Sequence, residues 1–148
     1  MKNITSLIDT NVIINFITKR DDPYKDACFE VMRLCAENAF KGYVAFHSLS
    51  IIWYVIRKQE NDEKARAWLT DICDILAVTG ATQEQVKEAI KNSDFRDFED
   101  CLQDECAVCA DADYIVTCNV KDFRQAKTSA VTPDVFVNML DETAHRLY

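Results

Sequence analysis

The segment that decides the fold is residues 4–16, which read ITSLIDTNVIINF. Its first five residues form a short, mostly apolar run with β-branched side chains, which predicts a buried strand. Asp9 ends this run, and residues 12–16 then begin an apolar stretch of helical character. A buried strand that passes through one polar turn into a helix indicates a β–α unit of an α/β protein.

Four more short apolar segments follow along the chain, and each predicts a further strand. They lie at residues 43–46, 75–78, 114–117 and 130–131. Helical signals fill the intervals between them. Because short strands alternate with helices, we predict an α/β fold with a central, mostly parallel sheet of about five strands. The length fits a single domain over residues 1–148.

Capping and stop signals predict where the helices begin and end. The expected signals are Asp22 with Pro23, Gly42 as a stop, Ser48 or Ser50, Asp62, a capping box at Thr82, Asp97, and Thr132 with Pro133.

The overall charge excludes one broad class of function. The 148 residues include 17 Lys and Arg against 25 Asp and Glu, which gives a net charge of −8 at pH 7. This balance argues against a generic polybasic binder of nucleic acid or membrane surfaces. It leaves room for an enzyme whose carboxylates hold a metal. The two glycines are too few for the phosphate loop of a Rossmann or P-loop nucleotide binder.

The seven cysteines bear on the expected compartment. The sequence has no recognisable signal peptide and no apolar run near the ~18 residues of a membrane span. We therefore expect a cytoplasmic protein without a membrane partner, whose thiols are reduced and mostly packed in the core. Cys106 and Cys109 form a single C-x-x-C in a helical stretch, where core packing is a better interpretation than zinc.

Acidic residues stand at three places that a parallel sheet can bring together. Asp9 follows the first predicted strand, eight acids crowd residues 94–113, and Asp122 follows the fourth strand. On a helix from Asp97, the residues Asp100 and Asp104 share its face, and a divalent cation would turn their repulsion into ligation. Each acid also has an ordinary interpretation: Asp9 as a helix N-cap, the helix acids as a solvated face, and Asp122 as a loop residue.

The order of these segments resembles the PIN-domain nucleases, including the VapC-type toxin ribonucleases. The resemblance covers roughly residues 3–140, nearly the whole chain. It is carried by four segments: LIDTNVI at 7–13, DFRDFEDCL at 94–102, ADYIVTCNVKDF at 112–123 and VTPDVF at 131–136.

The resemblance implies a PIN-like three-layer α/β/α sandwich and a Mg²⁺- or Mn²⁺-dependent endoribonuclease. Cleavage of RNA would proceed by in-line attack of water. Asp9, Asp100 and Asp122 match the metal-binding, catalytic acids of the family. Asp97 and Glu99 are candidates for extra metal ligands or for acids that orient metal-bound waters. The residues expected to line the pocket are Asn11, Glu99, Thr117 and Asn119.

RNA and proteins are the expected partners. An acidic site cannot hold RNA unaided, so Arg57, Lys58, Lys121 and Arg124 are candidates to contact flanking phosphates, although each is also an ordinary surface charge. Phe46, Trp53 and Tyr54 could stack on bases, but core burial is the expected role. We expect His47 to be structural. The resemblance also implies a cognate antitoxin and, as is common in the family, a homodimer.

The chain departs from the family in one place. The family usually has a further acid on the helix after the second strand, whereas here residues 48–58 contain none and the first acid is Glu60. An alternative is therefore a catalytically weakened PIN-like module that binds RNA or protein without cutting. A phosphatase of the haloacid-dehalogenase type is disfavoured, because its second Asp would fall at Asn11.

Overall fold

The computed structural model describes residues 3–146 and contains a five-stranded sheet in which every strand is parallel to its neighbours. The sheet order is β3-β2-β1-β4-β5. The strands are β1 (Thr5–Ile8), β2 (Lys41–Ala45), β3 (Ala77–Thr79), β4 (Tyr114–Val116) and β5 (Ser129–Val131). The first strand is therefore central, with β2 on one side and β4 on the other. This arrangement confirms the predicted α/β class.

Seven α-helices and one 3-10 helix connect the strands within the described residues. The α-helices are α1 (Thr10–Thr18), α2 (Lys25–Ala36), α3 (Phe46–Gln59), α4 (Asp62–Ile75), α5 (Gln83–Lys91), α6 (Phe98–Cys109) and α7 (Pro133–His145), and the 3-10 helix is Val120–Phe123. Within residues 3–146, no helix is long and apolar enough to cross a bilayer.

Side chains that alternate along the central strand divide the core into two clusters. Ile8 packs into a large cluster with residues of α1, α2, α3, α4 and α7. Leu7 points the other way and packs with Cys106 and Ala107 of α6. Because consecutive strand residues face opposite sides of a sheet, one layer of helices covers each face. The three-layer α/β/α sandwich is thus confirmed.

Some predicted signals were wrong in their position. Gly42 lies inside β2 rather than at a helix end, and Asn38 takes the left-handed backbone conformation after α2, with φ of 62°. The third helix begins at Phe46, before either serine. Asp22 accepts a hydrogen bond from the Tyr24 N–H in a turn before α2. Thr82 forms the complete expected capping box, and Asp97 and Thr132 are N-caps as expected. Asp62 is the first residue of α4, whose N-cap is Asn61.

The cysteines follow the expected pattern only in part. All seven are free, and Cys28, Cys35, Cys101 and Cys106 are buried. Cys73 and Cys109 are exposed, which corrects the core assignment of the second thiol in the C-x-x-C. The potential metal ligands that cluster within the described residues are carboxylates rather than these thiols.

Candidate metal centre

Asp9 occupies the junction between the central strand and α1. It is 3% exposed, and its N–H donates to the Val116 carbonyl over 3.0 Å. Its Oδ1 accepts a 2.8 Å hydrogen bond from the Thr10 N–H as the N-cap of α1. Its Oδ2 accepts 2.8 Å and 3.1 Å hydrogen bonds from Thr117 Oγ1 and Asn11 Nδ2. Asp9 therefore serves as both a helix cap and a buried carboxylate at the edge of the sheet.

The predicted pocket residues hold the loop after β4 against this carboxylate. Thr117 is fully buried, and its Oγ1 accepts a 3.0 Å hydrogen bond from the Asn119 N–H. Asn11 Oδ1 accepts a 3.2 Å hydrogen bond from the Cys118 N–H. The Asn119 residue itself is exposed, and its backbone makes this connection. These bonds fix the loop after β4 beside the first turn of α1.

Three more carboxylates lie together at the start of α6. Asp97 is the N-cap, and its Oδ1 accepts a 2.8 Å hydrogen bond from the Glu99 N–H. Asp97, Glu99 and Asp100 each offer one oxygen, and these oxygens lie within 4.8 Å of one another. The helix N-terminus favours negative charge, but three acids at such distances also repel one another.

The pKa values tie Asp9 to this group. The pKa of Asp9 is raised to about 6. Burial is the main cause and the charge of Glu99 adds to it, whereas the hydrogen bond from Thr117 opposes the rise. The pKa of Asp100 rises to about 8, first through burial and then through the negative charges of Asp9, Glu99 and Asp97. The sheet edge and the start of α6 therefore form one acidic centre, made of Asp9, Asp97, Glu99 and Asp100.

Glu99 is set apart from the other acids by its hydrogen bonds. Burial favours its neutral form, but donors on His47 and Gln103 outweigh this effect and lower the pKa of Glu99. His47 Nε2 lies 3.1 Å from Glu99 Oε1, and Gln103 Nε2 donates to the same oxygen over 2.8 Å. Glu99 is thus held as a carboxylate beside two acids whose pKa values are raised.

A buried polar network behind Glu99 was missed by the sequence analysis. Gln103 is fully buried, and its Nε2 also lies 2.7 Å from Ser48 Oγ. Thr10 Oγ1 donates to Ser48 Oγ over 2.7 Å. One available signal was the spacing of Gln103, which stands four residues after Glu99 and so shares its helix face. The family usually has a further acid on the helix after the second strand. The first turn of that helix here, α3, has no acid and supplies His47 and Ser48 to this network.

Asp104 was expected to share the metal-binding face of α6, but the structure gives it another role. Its two carboxylate oxygens accept hydrogen bonds from the N–H groups of Lys127 and Thr128, over 2.9 Å and 3.1 Å. It is buried and anchors the backbone before β5. Satisfying two backbone donors accounts for this buried carboxylate without a metal.

Asp122 lies apart from these contacts. It is exposed in the 3-10 helix, where its N–H donates to the Asn119 carbonyl over 3.0 Å. It lines a cleft of about 350 Å³ together with Arg96, Lys121 and Arg124. In the part of the chain that the structure describes, the interactions that join the acidic centre do not extend to Asp122. Its role as a metal ligand stays a prediction.

The candidate RNA-contact and aromatic residues are mostly exposed. Arg57 lies over the Trp53 ring, 5.1 Å from its centroid, and Lys58 is exposed at the end of α3. Phe46 is 70% exposed and Tyr54 is 54% exposed, so the expectation of core burial was wrong for both. Trp53 is half-buried.

A comparison with known protein families gives a match over most of the chain. Residues 5–121 match the PIN domain, which is most of the chain. The chain therefore belongs to the PIN-domain family. No functionally curated protein matches it in sequence.

Several solved structures share this fold. A chain of VapBC2 from Rickettsia felis, bound to a promoter DNA fragment, is 18% identical with a TM-score of 0.66, over 87% of this chain and 98% of that one. VapBC-1 from nontypeable Haemophilus influenzae is 18% identical with a TM-score of 0.64, over 88% and 99%. VapC20 of Mycobacterium tuberculosis, a toxin that cleaves the sarcin–ricin loop, is 14% identical with a TM-score of 0.58, over 74% and 86%.

Proposed function

We propose that this protein is an endoribonuclease that depends on Mg²⁺ or Mn²⁺ and acts as the toxin of a toxin–antitoxin pair. The observation that carries the proposal is the acidic centre, where Thr10 Oγ1, directly after Asp9, lies 3.4 Å from Glu99 Oε1, so the end of β1 meets the carboxylates at the start of α6. Membership of the PIN family and the fold shared with VapC20 support nuclease activity on RNA.

The residues of the acidic centre fit a hard divalent cation. Their donors are all carboxylate oxygens, which Mg²⁺ and Mn²⁺ prefer, and three of them can converge. Burial raises the pKa values of Asp9 and Asp100, and the negative charges of neighbouring acids add to the rise, so a bound cation would favour both carboxylates. When bound, such a cation supplies activation of water and neutralises charge on the scissile phosphate.

The residues of the acidic centre and their hydrogen-bond partners have distinct roles in this proposal. Asp9, Asp97 and Asp100 would hold the cation, with Asp122 as a further ligand from the neighbouring 3-10 helix. Thr117 and Asn11 orient the Asp9 carboxylate through their hydrogen bonds. Glu99, fixed by His47 and Gln103, would contribute a permanent negative charge beside the ligands.

The proposed partners follow from charge and from the structural neighbours. Lys121 and Arg124, which line the cleft beside Asp122, would contact RNA phosphates. Arg57 and Lys58 would do so from the end of α3. An antitoxin is the proposed protein partner, because two of the neighbours named above are VapBC proteins. A homodimer stays a prediction.

The test is cleavage of a mixed-sequence single-stranded RNA in the presence of Mn²⁺. We expect Asp9→Asn and Asp100→Asn to lose the activity, while Asp71→Asn, an exposed acid of α4, keeps it. Undiminished cleavage by the first two variants would refute the proposed centre.

The alternative, a binding module with weakened catalysis, is favoured by one observation, the lack of an acid in the first turn of α3. Calorimetric titration with Mn²⁺ separates the two functions. For a nuclease, we expect a binding heat with Mn²⁺ that is lost in Asp9→Asn and Asp100→Asn. For a binding module with a degraded site, the titration heat should be the same with and without these carboxylates.

A further inference from the structure

An apolar groove lies between α3 and α4, next to the acidic centre. Its volume is about 500 Å³, and we call it the α3–α4 groove, lined by Phe46, His47, Leu49, Trp53, Arg66 and Leu69. Phe46 leaves 70% of its surface open to solvent, which is unusual for a large apolar residue at the start of a helix. Contiguous exposed apolar patches often mark sites that bind a ligand or a partner.

The groove is continuous with the acidic centre. His47 lines the groove, and its Nε2 lies 3.1 Å from Glu99 Oε1. Phe46 directly follows β2, and Asp9 directly follows the neighbouring strand β1. Since adjacent strands lie ~4.8 Å apart, the groove and the buried carboxylate open at the same edge of the sheet.

The far wall of the groove is held by polar contacts. Trp53 Nε1 donates to Asp62 Oδ1 over 2.7 Å, and Arg57 lies over the indole ring. Arg66 Nε donates to both oxygens of Asp62 over 2.9 Å and 3.0 Å. The wall is therefore an aromatic surface with one guanidinium group, that of Arg66, which is paired with Asp62.

These features suit a nucleotide better than an apolar protein segment. Unpaired bases stack on aromatic rings and on guanidinium planes, and the attached phosphates pair with arginine. The chain carries a net charge of −8, so it cannot hold RNA by a general positive field and needs local contacts of this kind.

We propose that the α3–α4 groove binds an unpaired nucleobase of the RNA strand whose phosphate lies at the acidic centre, with Phe46 stacking on the base. The inference rests on the proposed function, because it takes RNA as the substrate. It makes Phe46 and Trp53 determinants of substrate choice. It also predicts that a base must be unpaired to enter the groove.

The decisive variant is Phe46→Ala, which the fold tolerates because the side chain is largely exposed. The matched control is Tyr54→Ala, an aromatic residue of the same helix that is 54% exposed and lies outside the groove lining. Binding of a labelled mixed-sequence RNA is measured by fluorescence anisotropy with Mn²⁺ in the Asp100→Asn background, where the strand stays intact. Two further RNA ligands are measured in the same way. One is the same RNA annealed to its complement, and the other is a strand with abasic positions.

We expect Phe46→Ala to weaken binding of the single strand roughly 5- to 100-fold, the range that loss of one stacked base gives. Tyr54→Ala should bind as the parent does, and the duplex and abasic strands should bind weakly to every variant. In the active protein, Phe46→Ala should raise KM by a similar factor and leave kcat nearly unchanged.

The outcomes separate this inference from the proposed function. If the wild type cleaves RNA and Phe46→Ala behaves like Tyr54→Ala, the groove inference is overturned and the nuclease stands. If the wild type binds but does not cleave, and Phe46→Ala alone weakens binding, the groove inference stands and the nuclease falls. A third outcome is that Phe46→Ala binds RNA as the wild type does but no longer co-purifies with an antitoxin. This outcome would overturn the inference and assign the groove to a protein segment.

Discussion

Thr117 Oγ1 donates a 2.8 Å hydrogen bond to Asp9 Oδ2, which joins two residues 108 positions apart in the sequence. Both residues directly follow neighbouring strands that pair in parallel, with Ile8 opposite Val116. The bond orients the one carboxylate of the acidic centre that is almost completely buried. A hydroxyl in this position affects metal binding through the ligand that it holds, without needing to contact the ion.

Thr117→Val should therefore weaken Mn²⁺ binding by roughly 10- to 100-fold, the range seen when a partner of a metal ligand is removed. Valine keeps the shape but leaves Asp9 Oδ2 with Asn11 as its remaining side-chain donor. We also expect a loss of about 1–2 kcal/mol in the free energy of unfolding. Calorimetric titration and urea denaturation measure the two effects.

The control is Thr79→Val, because Thr79 is also buried at a strand end and its Oγ1 donates to the Cys106 carbonyl over 3.3 Å. It should lose stability without a change in Mn²⁺ affinity. Equal affinity of Thr117→Val and the wild type would show that Asp9 needs no orienting donor.

Asp100→Asn should make the metal-free protein more stable at pH 9, on the order of 1 kcal/mol after solvent screening. At that pH the Asp100 carboxyl is ionised and repels Asp9, Asp97 and Glu99. The amide removes this repulsion and keeps the size of the side chain. Urea denaturation with and without Mn²⁺ gives the result, and the variant should also lose the stabilisation that the ion provides. A less stable Asp100→Asn without metal would contradict the repulsion.

The stability of the metal-free protein should fall as the pH rises from about 4 to 9. The folded state raises the pKa of Asp9 to about 6 and that of Asp100 to about 8, so it binds these protons more tightly than the unfolded chain does. This contribution is fully present below pH 4 and is lost as the pH passes 6 and then 8. We expect Asp9 to account for about 3 kcal/mol of the decline.

Denaturation across this pH range tests the sign of the effect. Saturating Mg²⁺ should flatten the decline, because the ion binds the ionised carboxylates. Asp100→Asn should flatten its upper part, between about pH 6 and 8. A metal-free protein whose stability rises steadily over the range would show that the two carboxyls are not buried together.

The order of short apolar strands, and the acids that follow them, made most of this architecture predictable. Asp9 at the end of a strand and Asp97 as a cap are local features, and local features can be read from sequence. The parallel sheet then follows, because helices between strands return the chain to the same end. The acidic centre could be expected for the same reason.

The network around Glu99 could not be predicted in this way. His47, Ser48 and Gln103 come from two helices, and only tertiary packing brings His47 and Gln103 to the Glu99 carboxylate and Ser48 to Gln103. Asp104 shows the converse, since it has the spacing of a metal ligand but binds two backbone N–H groups. Sequence spacing identifies a shared helix face, but it does not identify the partner that this face meets.

Gly42 is a further case in which a sequence signal had a different cause, and it leads to a prediction about packing. A Cβ added at this position of β2 would lie 2.5 Å from Leu76 Cδ2 and 2.6 Å from Cys35 Sγ. Both neighbours are buried side chains that have little room to move. Gly42→Ala should therefore lower the free energy of unfolding by about 1–3 kcal/mol through overpacking.

Gly80 provides the matched control, because a Cβ there would have no heavy atom within 4 Å and its backbone is not left-handed. Gly80→Ala should leave stability unchanged or raise it by up to about 1 kcal/mol, since alanine restricts the unfolded chain. Urea denaturation of both variants measures the difference. If the two substitutions had equal effects, the close approach of Cys35 and Leu76 to β2 would be contradicted, because Gly80 has no such neighbours.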